Sequence, residues 1–215
     1  MVRKISIILI LALCLAFSAS AKKQVALTFD DGPTPGVIDK LLPILKKENV
    51  PVTFFVIGWK VKDNPQFVSQ ASADGHEIGN HTYSHTSLDQ MDDKKTLAEI
   101  RETSLLIMKA TNKKVVLFRP PHGRLPYSKR KLIEKAGYEI VLWNANADDF
   151  YQPKKGMRTA ASIAKRVTSL VRNGSVVLMH DNSRQIVEAL PIMIKDLKKK
   201  GYSFTTVSGL RKKAN

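Results

Sequence analysis

Strand-length apolar runs alternate with amphipathic helical stretches along nearly all of this 215-residue chain, and that alternation constrains its fold more than any other feature. Runs at 25–29, 50–57, 77–79, 115–118, 138–143, 175–179 and 203–207 read as strands. Segments 36–47, 65–73, 95–111, 128–136, 159–172 and 185–199 read as the helices between them. Strand and helix repeated in this order imply a parallel sheet with helices packed on it, because parallel neighbours need a crossover connection. About seven such units predict an α/β fold, an irregular (β/α) barrel of distorted TIM-like form, with an open doubly wound sheet as the alternative.

The first 21 residues stand outside that pattern. Val2, Arg3 and Lys4 make a short basic start, 5–17 is apolar, and Ala19-Ser20-Ala21 supplies the small residues a signal peptidase cuts after. The run is too short to span a bilayer as a stable anchor. Residues 1–21 are therefore expected to be a cleaved signal peptide and 22–215 a single domain, with an uncleaved N-terminal anchor as the alternative. Cleavage removes Cys14, the only cysteine, so the mature chain has no disulfide and folds on its core alone. The expected location is secreted, periplasmic or cell-wall associated, with no stable membrane anchor.

Thirty-five basic against 19 acidic residues give a net charge of +16, and loss of Arg3 and Lys4 still leaves +14. Such an excess concentrates polyanions near the surface. Nucleic acid is not the expected partner, given export and the absence of a basic stripe interleaved with aromatics. The lysines and arginines are scattered, or bunched at 198–200 and 211–213. An anionic cell-wall polymer suits an exported basic protein, and a solvated basic surface without a specific partner is the equal alternative.

The polar residues that stand out follow strand ends, where parallel α/β folds build their sites. Asp30-Asp31-Gly32-Pro33 follows the first strand, Asn80-His81-Thr82-Tyr83-Ser84-His85 the third, and Arg119-Pro120-Pro121-His122-Gly123 the fourth. Asp148 and Asp149 come after the fifth, and Leu178-Met179-His180-Asp181 closes the sixth. Singly, each has a plainer meaning. Asp-Asp-Gly-Pro is a good turn, two histidines four apart are commonly just solvated, and Arg119 can be a structural ion-pair partner. His180 can be a packed strand-end residue, and His76, with no evident partner, reads as structural. Jointly, a carboxylate and two imidazoles offer three ligands and leave a fourth position open for water or substrate. A helical turn at 81–85 would set both imidazoles on one face.

These motifs resemble those of the polysaccharide deacetylase (NodB-homology) family, carbohydrate esterase family four. The resemblance runs from Val25 to about Leu210 and rests on Thr28-Phe29-Asp30-Asp31, His81-Thr82-Tyr83-Ser84-His85, Arg119-Pro120-Pro121-His122-Gly123, Asp149-Phe150 and Leu178-Met179-His180, all in family order. It implies that Asp30 is the general base and that Asp31, His81 and His85 hold a divalent metal. It also implies that Arg119 orients the base, that the backbone N–H at His122 helps bind the oxyanion, and that Leu178 shapes the acetyl pocket. His180 would be the general acid, tuned by Asp149, which spacing from Trp143 favours over Asp148. His122 stands where the family has tyrosine, Phe150 where it has tryptophan, and Asn146 replaces an aspartate, which points to a reshaped acetyl pocket.

The activity so implied is metal-dependent hydrolysis of the acetamide of N-acetylglucosamine units. Peptidoglycan is favoured as the polymer because its peptide carboxylates suit a basic protein, whereas chitin is neutral. Chitin or chitooligosaccharide deacetylation and O-acetyl xylan esterase activity use the same machinery and stay open as alternatives. A non-catalytic carbohydrate-binding relative would show a gap at Asp30 or His180, and there is none. Two imidazoles and a carboxylate lead to zinc as the expected cofactor, with cobalt or nickel as alternatives.

Overall fold

The computed structural model describes residues 23–150, 156 and 158–211, so the expected signal peptide lies outside the described residues. In chain order the elements are β1 (Lys23–Gly32), α1 (Ile38–Glu48), β2 (Thr53–Val56), α2 (Gly58–Asp63), α3 (Pro65–Ala73), β3 (Glu77–Asn80), α4 (Asp93–Thr111) and β4 (Leu117–Phe118). They continue with α5 (Tyr127–Lys135), β5 (Glu139–Ile140), β6 (Ala145–Asn146), α6 (Ala160–Leu170), β7 (Ser175–His180), α7 (Arg184–Lys199), β8 (Tyr202–Phe204) and α8 (Val207–Arg211). Every described strand pair is parallel. The order β5-β4-β3-β2-β1-β7-β6 curls into a partial barrel with helices between the strands, and β8 pairs with the first residues of β1. This is the α/β barrel-like architecture expected from the alternation.

β1 lies inside the sheet, between β2 and β7, and is buried on both faces along most of its length. Its alternation sorts residues into two environments. Val25, Leu27 and Phe29 point to the helical layer and join the large cluster with α1, α6 and α7. Ala26 points the other way, packing with Phe55, Leu117, Val141 and Val207 in a small plug inside the curl. Thr28 and Asp30 share that inward parity, and both are buried. The inside of the barrel is thus apolar at its N-terminal end and polar at its C-terminal end.

Three sequence expectations are corrected. Only 139–140 of the run at 138–143 forms a ladder, because β5 is an edge strand with β4 as its single partner. The run at 203–207 stops pairing at Phe204, and Val207 instead begins α8, its N–H donating to the Thr53 hydroxyl at 3.0 Å. Residues 81–85 are not helical; Thr82 and His85 both have positive φ, 65° and 61°.

Candidate active site

The rim at the strand C-termini collects the residues singled out above. Asp30 enters it from β1, directly beside His180 of β7 in the ladder. Arg119, wholly buried just after β4, spans the inside of the barrel to meet Asp30: its Nη1 donates to Asp30 Oδ1 at 2.6 Å and to the Thr28 hydroxyl at 2.7 Å, while Nε donates to the Val141 carbonyl at 3.2 Å. Its guanidinium carbon lies 4.0 Å from the centre of the Phe55 ring. An arginine held at three points on an aromatic face has little freedom, and it pins the Asp30 carboxylate in turn.

Asp31 points differently from Asp30 because β1 slips register against β2 between Asp30 and Gly32, leaving Asp31 as the extra residue of a bulge with φ of 72°. Its Oδ1 lies 3.5 Å from His81 Nε2 and 3.2 Å from His85 Nε2. One donor atom from each of these three residues lies within 4.8 Å of the others. The two imidazoles converge through a pinned turn. Asn80 Oδ1 accepts from Thr82 N at 2.9 Å, and the buried Glu99 of α4 accepts from Tyr83 N at 3.0 Å and Ser84 N at 2.7 Å. The N–H groups of Gly58 and Trp59, opening α2, donate to the Thr82 and Tyr83 carbonyls.

The chemistry of these donors fits a divalent cation. His81 Nδ1 lies 2.7 Å from the Arg119 carbonyl, an acceptor only, so Nδ1 carries a proton and Nε2 is the ring nitrogen that faces Asp31. Burial and the neighbouring His81 take His85 down to about 4, against the pull of Asp31, so its ring is neutral near pH 7. Burial would raise the Asp31 carboxyl, but its hydrogen bond to His81 and the surrounding imidazoles hold it well below the usual carboxylate range. Two imidazoles and an ionised carboxylate are a donor set that a zinc-like ion takes.

Across the centre stands a second pair. His180 Nδ1 and the wholly buried Asp149 Oδ1 are 2.8 Å apart, and Asp149 Oδ2 accepts the His180 backbone N–H at 2.8 Å. Burial alone would lower this imidazole, but the hydrogen bond and charge of Asp149, with Asp30 and Asp31 behind it, push it up to about 9. Asp148, the other aspartate considered, pairs with Arg158 instead, at 2.6 Å. A cavity of about 410 Å³ opens between the two pairs; Asp30, Asp31, His81, His85, His122 and His180 line it, with Trp143, Leu178 and Phe150 as its apolar wall. His122 packs its ring against His85, the centroids 4.7 Å apart. Next to it, Gly123 has φ of 68° and lies so close to Trp143 that a Cβ would come within 2.6 Å of the indole. His76 lies apart from the centre, its Nδ1 accepting from Val52 N at 3.3 Å.

Sequence reading missed the supports: Asn80, Glu99, Lys60, Asp181 and Asn182. Glu99 left a signal, since it falls among Thr96, Ile100, Thr103 and Ile107 on the buried stripe of α4, where an acidic residue needs a reason. Lys60 left none.

The polysaccharide deacetylase family model matches residues 18–141. The chain is 38% identical over 192 residues to a peptidoglycan-N-acetylglucosamine deacetylase of Bacillus cereus, covering 88% of each. It is 35% identical to the peptidoglycan-N-acetylmuramic acid deacetylase PdaA of Bacillus subtilis, covering 88% of this chain and 72% of PdaA. Against PgdA of Listeria monocytogenes, at 32% identity, the match spans 89% of this chain but 40% of that longer protein. The solved structure of the peptidoglycan deacetylase PdaC from Bacillus subtilis superposes with a TM-score of 0.82 at 33% identity, over 89% of this chain and 91% of that one.

Proposed function

This chain belongs to the polysaccharide deacetylase family, and we propose that it is an exported, metal-dependent enzyme hydrolysing the acetamide of N-acetylglucosamine units in peptidoglycan. The observation that carries this reading is the opposed arrangement of two buffered groups around one cavity, Asp30 with Arg119 and His180 with Asp149, beside a three-donor cluster. The mature chain is the domain 22–215, with 1–21 as its signal peptide and the cell wall as its place of action. Among the described residues no helix is long and apolar enough to cross a membrane.

Asp31, His81 and His85 would hold the cation, and their donor chemistry suits zinc, or cobalt or nickel in its place. When bound there, such an ion supplies Lewis acidity to the acetyl carbonyl and to water. Asp30 accepts the proton of the attacking water, and Arg119 keeps its carboxylate aimed. A backbone N–H at His122 helps hold the oxyanion, a donor whose removal costs on the order of 100-fold in rate. Asp149 occupies His180 Nδ1, which leaves Nε2 to give a proton to the departing sugar amine. Leu178 and Phe150 receive the acetyl methyl along the apolar wall.

Acetate release from N-acetylchitooligosaccharides by the mature protein, before and after chelation and again with zinc restored, tests this reading. Release should vanish with the chelator and return with the ion. Zinc binding without release from any N-acetylated glycan would turn the assignment to O-acetyl esters. The +14 charge adds a second expectation: initial rates on peptidoglycan should fall as salt rises, while those on neutral chitin oligomers should hold. Equal salt response on both would remove the electrostatic ground for preferring the wall polymer.

A further inference from the structure

We propose that Asp181 is a positioning residue, acting through Thr34 and Lys60 to preset the Asp31 carboxylate for its metal. The inference rests on the reading of Asp31, His81 and His85 as ligands. Asp31 sits in an unfavourable place for a ligand that must be held still: it is the bulged residue of β1, unpaired in the ladder with β2, in a left-handed conformation that non-glycine residues avoid.

Asp181 grips the segment on both sides of that bulge. Its N–H donates to the Asp30 carbonyl at 3.1 Å, and its carboxylate accepts from Thr34 N at 3.3 Å and from the Thr34 hydroxyl at 3.0 Å. Lys60, arriving from α2, donates to the Asp31 carbonyl at 2.7 Å and to the same Thr34 hydroxyl at 3.1 Å. The Thr34 oxygen therefore links a buried carboxylate to an ammonium group across the loop that carries the ligand. Between the two grips Gly32 lies against the carboxylate, where a Cβ would come within 1.9 Å of Asp181 Oδ2. That contact leaves room for glycine alone as long as the clamp is closed. The next residue, Asn182, adds a bond from Nδ2 to Asp31 Oδ2 at 3.1 Å. Burial raises the Asp181 carboxyl, to about 7 against the opposing pull of the Thr34 hydrogen bonds and the Lys60 charge.

Asp181 is wholly buried and is not among the residues lining the cavity, so its effect must pass through the loop. Without it, the bulge is free to relax and the metal must order the loop on binding. Outer partners of this kind typically govern 10- to 100-fold in metal affinity.

The test is the zinc affinity of the full chain, measured by competition with a chromogenic chelator. Asp181→Ala should bind zinc about 10- to 100-fold more weakly, and Asp181→Asn, which keeps an acceptor oxygen and the shape, should lose less. Thr34→Val should lose affinity too. The double variant Asp181→Asn/Thr34→Val should be no weaker than its weaker parent, because both changes break one contact. A core variant far from the rim, Leu190→Ala, chosen for comparable thermal destabilisation, should keep the parent affinity. Parent-like affinity in folded Asp181→Asn and Thr34→Val would overturn the inference, and these two carry the test if Asp181→Ala does not fold. A parent that takes up no zinc would overturn the ligand assignment and this inference with it. Zinc uptake without acetate release would strike only at the proposed reaction.

Discussion

Replacing Asp30 with asparagine should cut acetate release by about 10²- to 10⁴-fold, the usual worth of a positioned base, while zinc uptake stays close to that of the parent. The change is nearly isosteric, and Asp30 is not one of the three residues whose donor atoms cluster. What it removes is the carboxylate that, among the described residues, is alone in being both in line with His180 on the adjoining strand and fixed by the Arg119 guanidinium at 2.6 Å. The same change leaves a buried arginine without its counter-charge, and breaking one side of a buried pair costs about 3–5 kcal/mol. Thermal stability should therefore fall as well. The two effects are separated by measuring turnover per folded, zinc-loaded molecule well below the melting transition. Parent-like turnover in that fraction would remove Asp30 from the role of base. Loss of zinc together with turnover would mean that Asp30 belongs to the metal site.

The second large effect concerns His180 and should be visible as a pH profile. The protonated imidazole is the form able to give a proton to the leaving amine. That form persists below the raised value of about 9 and is lost above it, so turnover should decline through an alkaline limb near pH 9. Asp149→Asn removes the hydrogen-bonded charge that raises the imidazole and leaves burial, which lowers it. The limb should move to lower pH, and activity at neutral pH should drop with it. His180→Ala should retain zinc and lose about 10²- to 10⁴-fold in turnover. An alkaline limb that stays in place in Asp149→Asn would detach this pair from the proton transfer, and unchanged turnover in His180→Ala would remove the acid.

The alternation of apolar runs and helices determined the parallel α/β architecture, since side-chain periodicity is a local property that packing must respect. It also determined that Asp30, His81, Arg119 and His180 would meet, because strand C-termini in a parallel sheet share one rim. The separation of Asp149 from Asp148 was legible only as a spacing, and the structure sets Asp149 against His180 and pairs Asp148 with Arg158.

Other features were decided by the tertiary structure. Four-residue spacing suggested a helical turn for His81 and His85, yet the rings converge through two positive-φ residues held by Asn80 and Glu99, the latter 14 or more residues away in sequence. Neighbouring aspartates look alike in the chain, but a register slip between β1 and β2 turns one towards Arg119 and the other towards the imidazoles. The clamp of Asp181, Thr34 and Lys60 has no local pattern at all. Local sequence specifies which backbone conformations and faces are favourable, whereas a buried polar group is satisfied by whichever distant partner the fold brings within hydrogen-bond reach.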